Sequence, residues 1–332
     1  MGNEILLSVC ISVHNTAKYL PRCIESLLTQ DDKSFEIVLV NNGSTDNSLS
    51  IMEHYRDSNP NRFVVVNQVD LGLAQGRQSG VNHASGSYVA FLDADDYFYP
   101  KWSECILPYL RGGAYDIIEF QSKNGDVVLT SGLHGESNGT DLLKLYFSGK
   151  GVPSMLWMRV YRRELFNHSI FPNVYTNNED VFAFPSLLSF SKKVFCISKV
   201  LHCYSIDNDD AVMVSLRNKK ANSKKYYETR KIAITSLDFV ENNLIDDIQI
   251  LERFKKFKSS YLIMFLLNRF EGIGLKKQLS DLTNVGNFSS EKSLLKFIRC
   301  VGTNNKFVSV LIKLIGVKMY CYLYRFVRRI IK

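Results

Sequence analysis

The sequence predicts an α/β fold: a mainly parallel, Rossmann-like sheet flanked by helices, followed by a helical C-terminal region. Three observations predict it. Short β-branched runs alternate with helically spaced apolar residues over roughly the first 100 positions. The apolar runs end in polar clusters: His14-Asn15, then Asn41-Asn42-Gly43-Ser44, then Asp93 to Asp96. Beyond about residue 220 the chain is Lys-rich and reads as mostly helical.

Residues 5–13, ILLSVCISV, form the first strand. Tyr19, Leu20, Cys23, Ile24, Leu27 and Leu28 then recur at helical spacing. Residues 35–40, FEIVLV, are a short buried strand that stops at Asn41-Asn42-Gly43. Ser44, Thr45 and Asp46 form a capping-type set and predict a helix over 46–57. RFVVV (62–66) is the third strand, 73–85 the third helix, and SYVAFL (87–92) the fourth strand. Right-handed crossovers between such strands place their carboxyl ends along one edge, where ligands bind in open sheets. From about 106 to 215 the pattern is less regular, with Gly-rich turns at 112–113, 132–139 and 149–151. No internal repeat is visible, and KKANSKK (219–225) reads as a solvated linker.

The 332 residues suffice for one large or two modest domains, and a 45% hydrophobic content suffices for a core. Seven cysteines (10, 23, 105, 196, 203, 300, 321) show no paired spacing. They read as reduced thiols and argue against a zinc site. MGNEILLSVCISV has no basic start and no small-residue cleavage site, so a cytoplasmic location is expected. The net charge of +8 is uneven: Lys292 to Lys332 holds ten Lys or Arg and no Asp or Glu, leaving 31 basic against 33 acidic residues elsewhere. That asymmetry points the tail toward an anionic surface.

Asp93, Asp95 and Asp96 put three carboxylates into four positions at the end of a buried strand. Like charges so close repel. Either a cation sits among them or the turn is wet. Hard cations such as Mg²⁺ or Mn²⁺ take carboxylate oxygens together with substrate phosphates. Asn41-Asn42-Gly43-Ser44 is either an amide-lined contact for a planar base or an Asx-rich turn. Arg77, in DLGLAQGRQSG (70–80), either neutralises a phosphate or is a surface helix cation. Glu179 and Asp180, in NNEDVFAFP (177–185), either favour a helix start or deliver a general base. His202 is either a core or surface histidine or a contact to metal or diphosphate.

Taken in order, these segments resemble the family 2 glycosyltransferases, which have the GT-A fold. The resemblance runs over about 210 residues. SVCISVHNTAKYLPRCIESLLTQ is similar to the family's opening strand and helix, usually written Pro-x-Tyr-Asn where this chain has Ser12-Val13-His14-Asn15. FEIVLVNNGSTDNS resembles its second strand and turn, and LGLAQGRQSGVNHASGSYVAFLDADD the stretch that ends in its D-x-D. WMRVYRRELF, NNED and HCYSIDNDDAVMVS (202–215) resemble later segments. The resemblance implies a nucleotide-sugar donor, usually UDP-linked, and a divalent metal, Mn²⁺ or Mg²⁺. It implies that Ser12, Asn41, Asn42 and Ser44 line the nucleoside pocket and that Arg77 helps hold base or diphosphate. Asp93 would approach the ribose, Asp95 the metal and pyrophosphate, with Asp96 beside them. Asp180 would be the base supported by Glu179, and Trp157 would border the acceptor. Three departures stand out: both turn positions before Gly43 are Asn where the family keeps at least one Asp, His14 and Gln78-Ser79 replace Tyr and Asn-Thr, and Ser205 stands where a basic residue is common.

Residues 307–332 place Lys313, Lys318, Arg325, Arg328, Arg329 and Lys332 within an arc of about 160° at helical pitch, opposite apolar residues. That is the pattern of a helix in a bilayer interface; a helix packed on the protein itself is the other reading. No nucleic-acid module is present, so no nucleic-acid partner is expected.

The expectation is therefore a donor half at 1–105, an acceptor half at 106–218 and a helical region at 219–332. The expected activity is inverting sugar transfer to a saccharide, lipid-linked as on a polyprenyl diphosphate, in surface-polysaccharide synthesis at the inner membrane face. The rivals are a catalytically weak homologue that binds nucleotide or scaffolds an assembly, and a nucleotidyltransferase. The latter needs a Gly-rich basic loop after strand one that VHNTAKYL lacks.

Overall fold

The structure is a computed structural model. It describes residues 5–32, 34–149, 151–168, 170–171, 179–208, 248–267, 273–285 and 288–301, with scattered positions besides between 227 and 324. The chain divides into two compact units, Met1–Leu142 with Val152–Ser215, and Leu143–Gly151 with Leu216–Lys332.

The first unit opens as the alternation predicts: β1 (Leu7–Val13), α1 (Leu20–Leu28), β2 (Phe35–Asn42), α2 (Ser48–Ser58), β3 (Phe63–Gln68), α3 (Leu73–His83) and β4 (Tyr88–Phe91). Pro21 sits in the first turn of α1, where its missing N–H costs nothing. Leu20, Cys23, Ile24 and Leu27 form the buried stripe of that helix. There follow β5 (Tyr97–Phe98), α4 (Trp102–Arg111), β6 (Ile117–Asn124), β7 (Val127–Leu129), β8 (Gly135–Ser137), α5 (Gly139–Phe147), β9 (Arg159–Arg162), α6 (Glu179–Phe190) and β10 (Val194–Tyr204).

One sheet runs β3-β2-β1-β4-β9-β6-β10-β5, with β7 beside β6 and β8 beside β10. The half from β3 to β4 is parallel, as is β10 on β6. Strands β9, β5, β7 and β8 pair antiparallel to their neighbours. The irregular stretch after residue 106 is thus the far half of the same sheet, and the sheet is mixed.

Alternation along β1 sends Leu7, Val9, Ile11 and Val13 into a core shared with Leu20, Ile24 and Leu27 of α1 and Trp102, Ile106 and Leu110 of α4. The opposite face meets α3. There Gly76 and Gly80 stand four apart on one helix face. A Cβ on Gly80 would fall 2.9 Å from Cys10 Cβ, and one on Gly76 would fall 2.2 Å from Ser12 Oγ. Two hydrogens therefore let α3 lie close on β1.

The second unit is described as helices at Ile248–Leu267, Leu275–Val285 and Glu291–Val301 with scattered neighbours. Leu262, Phe265, Leu266, Leu282, Leu294 and Ile298 build its core. Ile312, Val317 and Cys321 are buried in that core, and Lys318 pairs with Glu291. Lys313, Arg325, Arg328, Arg329 and Lys332 lie outside the described residues. No described helix is long and apolar enough to cross a membrane.

Candidate active site

The carboxyl ends of β1, β2 and β3 meet in register, with Val13 opposite Asn41 and Asn41 opposite Asn67. Asn41 Nδ2 donates to Asn67 Oδ1 at 2.7 Å, and its Oδ1 accepts from the Ser44 N–H at 3.2 Å. Asn42 Oδ1 accepts from Gln68 Nε2 (2.8 Å) and the Leu71 N–H (3.2 Å), while its Nδ2 donates to Gly72 O (3.2 Å) and Asp70 Oδ1 (3.4 Å). Both amides are buried: Asn41 ties the turn to the end of β3, and Asn42 ties it to β3 and to the loop that follows. Gly43, at φ +73°, packs its Cα face on Asp70, and a Cβ there would fall 2.4 Å from Asp70 N. Ser44 Oγ accepts from the Asn15 N–H at 3.1 Å, and Ser12 faces α3 across Gly76. The predicted nucleoside-pocket residues thus cluster, and they do so by bonding one another.

Beyond β4, Asp96 N–H closes a turn on Asp93 O at 3.0 Å. Asp93 Oδ1 accepts from Arg77 Nη2 at 2.7 Å, and Arg77 Nη1 donates to Glu179 Oε1. Arg77 is 5% exposed and bridges two carboxylates inside the protein. Burial alone would lower its pKa; Asp93 and Glu179 overcome that and raise it. Burial pushes Glu179 up to about 7 against the pull of Arg77. Its Oε2 has no hydrogen-bond partner among the described residues. Asp180 is next along α6, accepting from Ser154 Oγ–H at 2.8 Å and from the Val181 N–H at 2.9 Å.

Asp95 is raised by burial first and by the Asp93 charge second. Its Oδ2 accepts from Asn208 Nδ2 at 2.7 Å. Two mutually repelling carboxylates, one partly desolvated, form a hard-oxygen donor pair that a divalent cation relieves. The described residues hold no group of three or more His, Cys, Asp or Glu placed to hold a metal. The pair still fits Mg²⁺ or Mn²⁺, which take one or two carboxylates and complete their shell with phosphates and water.

Asp96, His202 and Trp157 lie deeper. Asp96 is 1% exposed and accepts from the Ser205 N–H at 2.7 Å. Burial raises its pKa well above the carboxylate range. His202 is fully buried and held neutral, its pKa pulled down to about 3 by burial. It shares a 2.8 Å hydrogen bond with Ser122 Oγ and stacks on Trp157 at 4.3 Å between centroids. These three support the floor of the acidic turn from within the protein.

The family model described as "Glycosyl transferase family 2" matches residues 8–169. The segment 8–169 belongs to the family 2 glycosyltransferases. The chain is 28% identical over 269 residues to the uncharacterized glycosyltransferase YibD of Escherichia coli (strain K12), covering 76% of each chain. Among solved structures, Staphylococcus aureus TarS 1–349 in complex with UDP-GlcNAc superposes with TM-score 0.68 at 18% identity, over 98% of this chain and 92% of that one. The mannosyltransferase PcManGT of Pyrobaculum calidifontis, in complex with GDP-Man and Mn²⁺, superposes at 0.53 and 12% identity, over 96% and 86%. The fold is GT-A and the chain is a glycosyltransferase.

Sequence reasoning did not find Asp70, Asn208, Ser154 or Arg22. Each lies in a loop or helix with no spacing that marks it, and only the tertiary contact reveals it.

Proposed function

We propose that this glycosyltransferase moves a sugar from a UDP-sugar to a saccharide hydroxyl with inversion, Asp180 acting as base. One observation carries the reading: the Arg77 guanidinium joins Asp93 to Glu179, 102 positions apart in the chain from Arg77. It thereby brings the acidic turn and the Glu179-Asp180 pair to one place. TarS bound to UDP-GlcNAc supports a UDP-linked donor on this fold, and PcManGT with Mn²⁺ supports a divalent ion.

Asp95, with Asp93 beside it, would hold the ion, which when bound stabilises negative charge on the departing diphosphate as a Lewis acid. Ser12 and the Asn41-Asn42-Ser44 turn frame the nucleoside. Glu179 positions Arg77, and Arg77 fixes Asp93. Asp180 takes the proton of the acceptor hydroxyl, a poor nucleophile without a base. Its Ser154 hydrogen bond holds the carboxylate on α6. Attack opposite the leaving diphosphate inverts the anomeric carbon. Residues 1–105 then serve the donor and 106–218 the acceptor.

The acceptor is read as lipid-linked, in cell-surface polysaccharide synthesis. Ile312, Val317 and Cys321 are committed to the helical unit's own core. Peripheral contact with an anionic bilayer is assigned to the basic charges of 307–332. A thermal-shift screen of nucleotide sugars with Mn²⁺ tests the donor assignment. UDP-sugars are expected to stabilise the protein; no shift with any nucleotide sugar would favour a scaffold that has lost the activity.

A further inference from the structure

Arg22 has no role in the site as described so far. It projects from α1 with its side chain 39% exposed. Nη1 donates to Asp207 Oδ2 at 2.7 Å. Nη2 donates to the main-chain oxygen of Asp95 at 2.8 Å, to Ser205 Oγ at 2.7 Å and to Asp207 Oδ1 at 3.2 Å. The guanidinium also lies over the Tyr97 ring, 5.2 Å from its centroid. One cation therefore joins the acidic turn after β4 to the segment after β10.

Residues 205–208 have no regular secondary structure. Side chains hold them in place. Ser205 N–H donates to Asp96, Tyr19 O–H donates to Asp207 O at 3.1 Å, and Asn208 Nδ2 donates to Asp95 Oδ2. The last bond orients the carboxylate assigned to the metal and diphosphate. Arg22 is the group that bonds both ends of this arrangement, the Asp95 main chain and the Asp207 carboxylate. The cation that reaches Ser205 Oγ comes from α1. A lysine is a point charge on a flexible stem, whereas the planar fork of an arginine can satisfy three acceptors at once.

We propose that Arg22 is a positioning residue: through Asp207 and Ser205 it holds segment 205–208 on the acidic turn, so that Asn208 keeps the Asp95 carboxylate in one orientation. The inference rests on the proposed function for what Asp95 binds, but the coupling of the two segments stands apart from it. Two readouts test it on the full chain. One is amide hydrogen exchange of peptides covering 93–98 and 202–208 without ligand; the other is the affinity for UDP in the presence of Mn²⁺.

Arg22→Met is expected to speed exchange in both peptides and to weaken UDP about tenfold, a loss of about 1.4 kcal/mol. Arg22→Lys restores little of either. Asp207→Asn, an exposed change that leaves the core intact, weakens UDP in the same direction. The double variant is no worse than Arg22→Met, because both residues act through one contact. Additive losses, or faster exchange confined to 202–208 with UDP affinity unchanged, would overturn the inference and leave Arg22 a merely structural tie. Wild type that fails to bind UDP would count against the proposed function, and the exchange pattern would still decide the role of Arg22.

Discussion

At the scale of single residues, buried ion pairs join the acidic turn to α6. Arg77 carries two carboxylates, and removing it leaves Asp93 and Glu179 uncompensated beside each other. Arg77→Met is expected to cost about 3–5 kcal/mol of stability, read as a fall in the urea midpoint. Glu179 gives a pH test with a definite sign. Its folded pKa of about 7 lies above the ordinary 4.5. Between those values the folded state binds more protons than the unfolded one, so stability is lost as pH rises through that window. Glu179→Gln removes this loss. The wild-type urea midpoint should therefore fall more than that of Glu179→Gln between about pH 5 and pH 7.5; parallel curves would show that Glu179 titrates normally. The acidic turn and the Glu179-Asp180 pair were legible as candidates because carboxylates seldom cluster beside apolar runs without a purpose. Their bridge was not legible. A lone arginine in a helix carries no sign of which carboxylates it will meet.

At the scale of elements, the first four strands and three helices follow from period and punctuation alone. Buried parallel strands read as unbroken apolar runs, and their ends are marked by Asn, Gly and Asp. The later strands escape this reading. Strands β7 and β8 span three residues each and β5 spans two, too short to show a period, and β9 runs antiparallel between β4 and β6. Gly76 and Gly80 carried a signal that spacing could have supplied: small residues four apart on a helix that must lie close to a sheet. Gly80→Ala should destabilise by about 1–3 kcal/mol, since Cys10 Cβ is fixed on the strand. Gly112→Ala meets nothing within 4 Å and has ordinary backbone angles. It should change stability by less than about 0.5 kcal/mol. Equal midpoints for the two variants would mean that α3 does not need its close approach.

At the scale of the whole molecule, the sheet gathers side chains from distant stretches at one edge, and that convergence is what family 2 chemistry needs. In the proposed function the donor role of Asp95 and the base role of Asp180 fall to residues near opposite ends of the Arg77 bridge, so they should separate in measurement. Calorimetric titration of UDP with Mn²⁺, run beside a transfer assay on wild type, Asp95→Ala and Asp180→Ala, tests this most directly. Both variants should lose transfer. Asp95→Ala should also lose about tenfold or more in UDP affinity, while Asp180→Ala binds as wild type does. Equal UDP affinity in wild type and Asp95→Ala would contradict the placement of the diphosphate at the acidic turn.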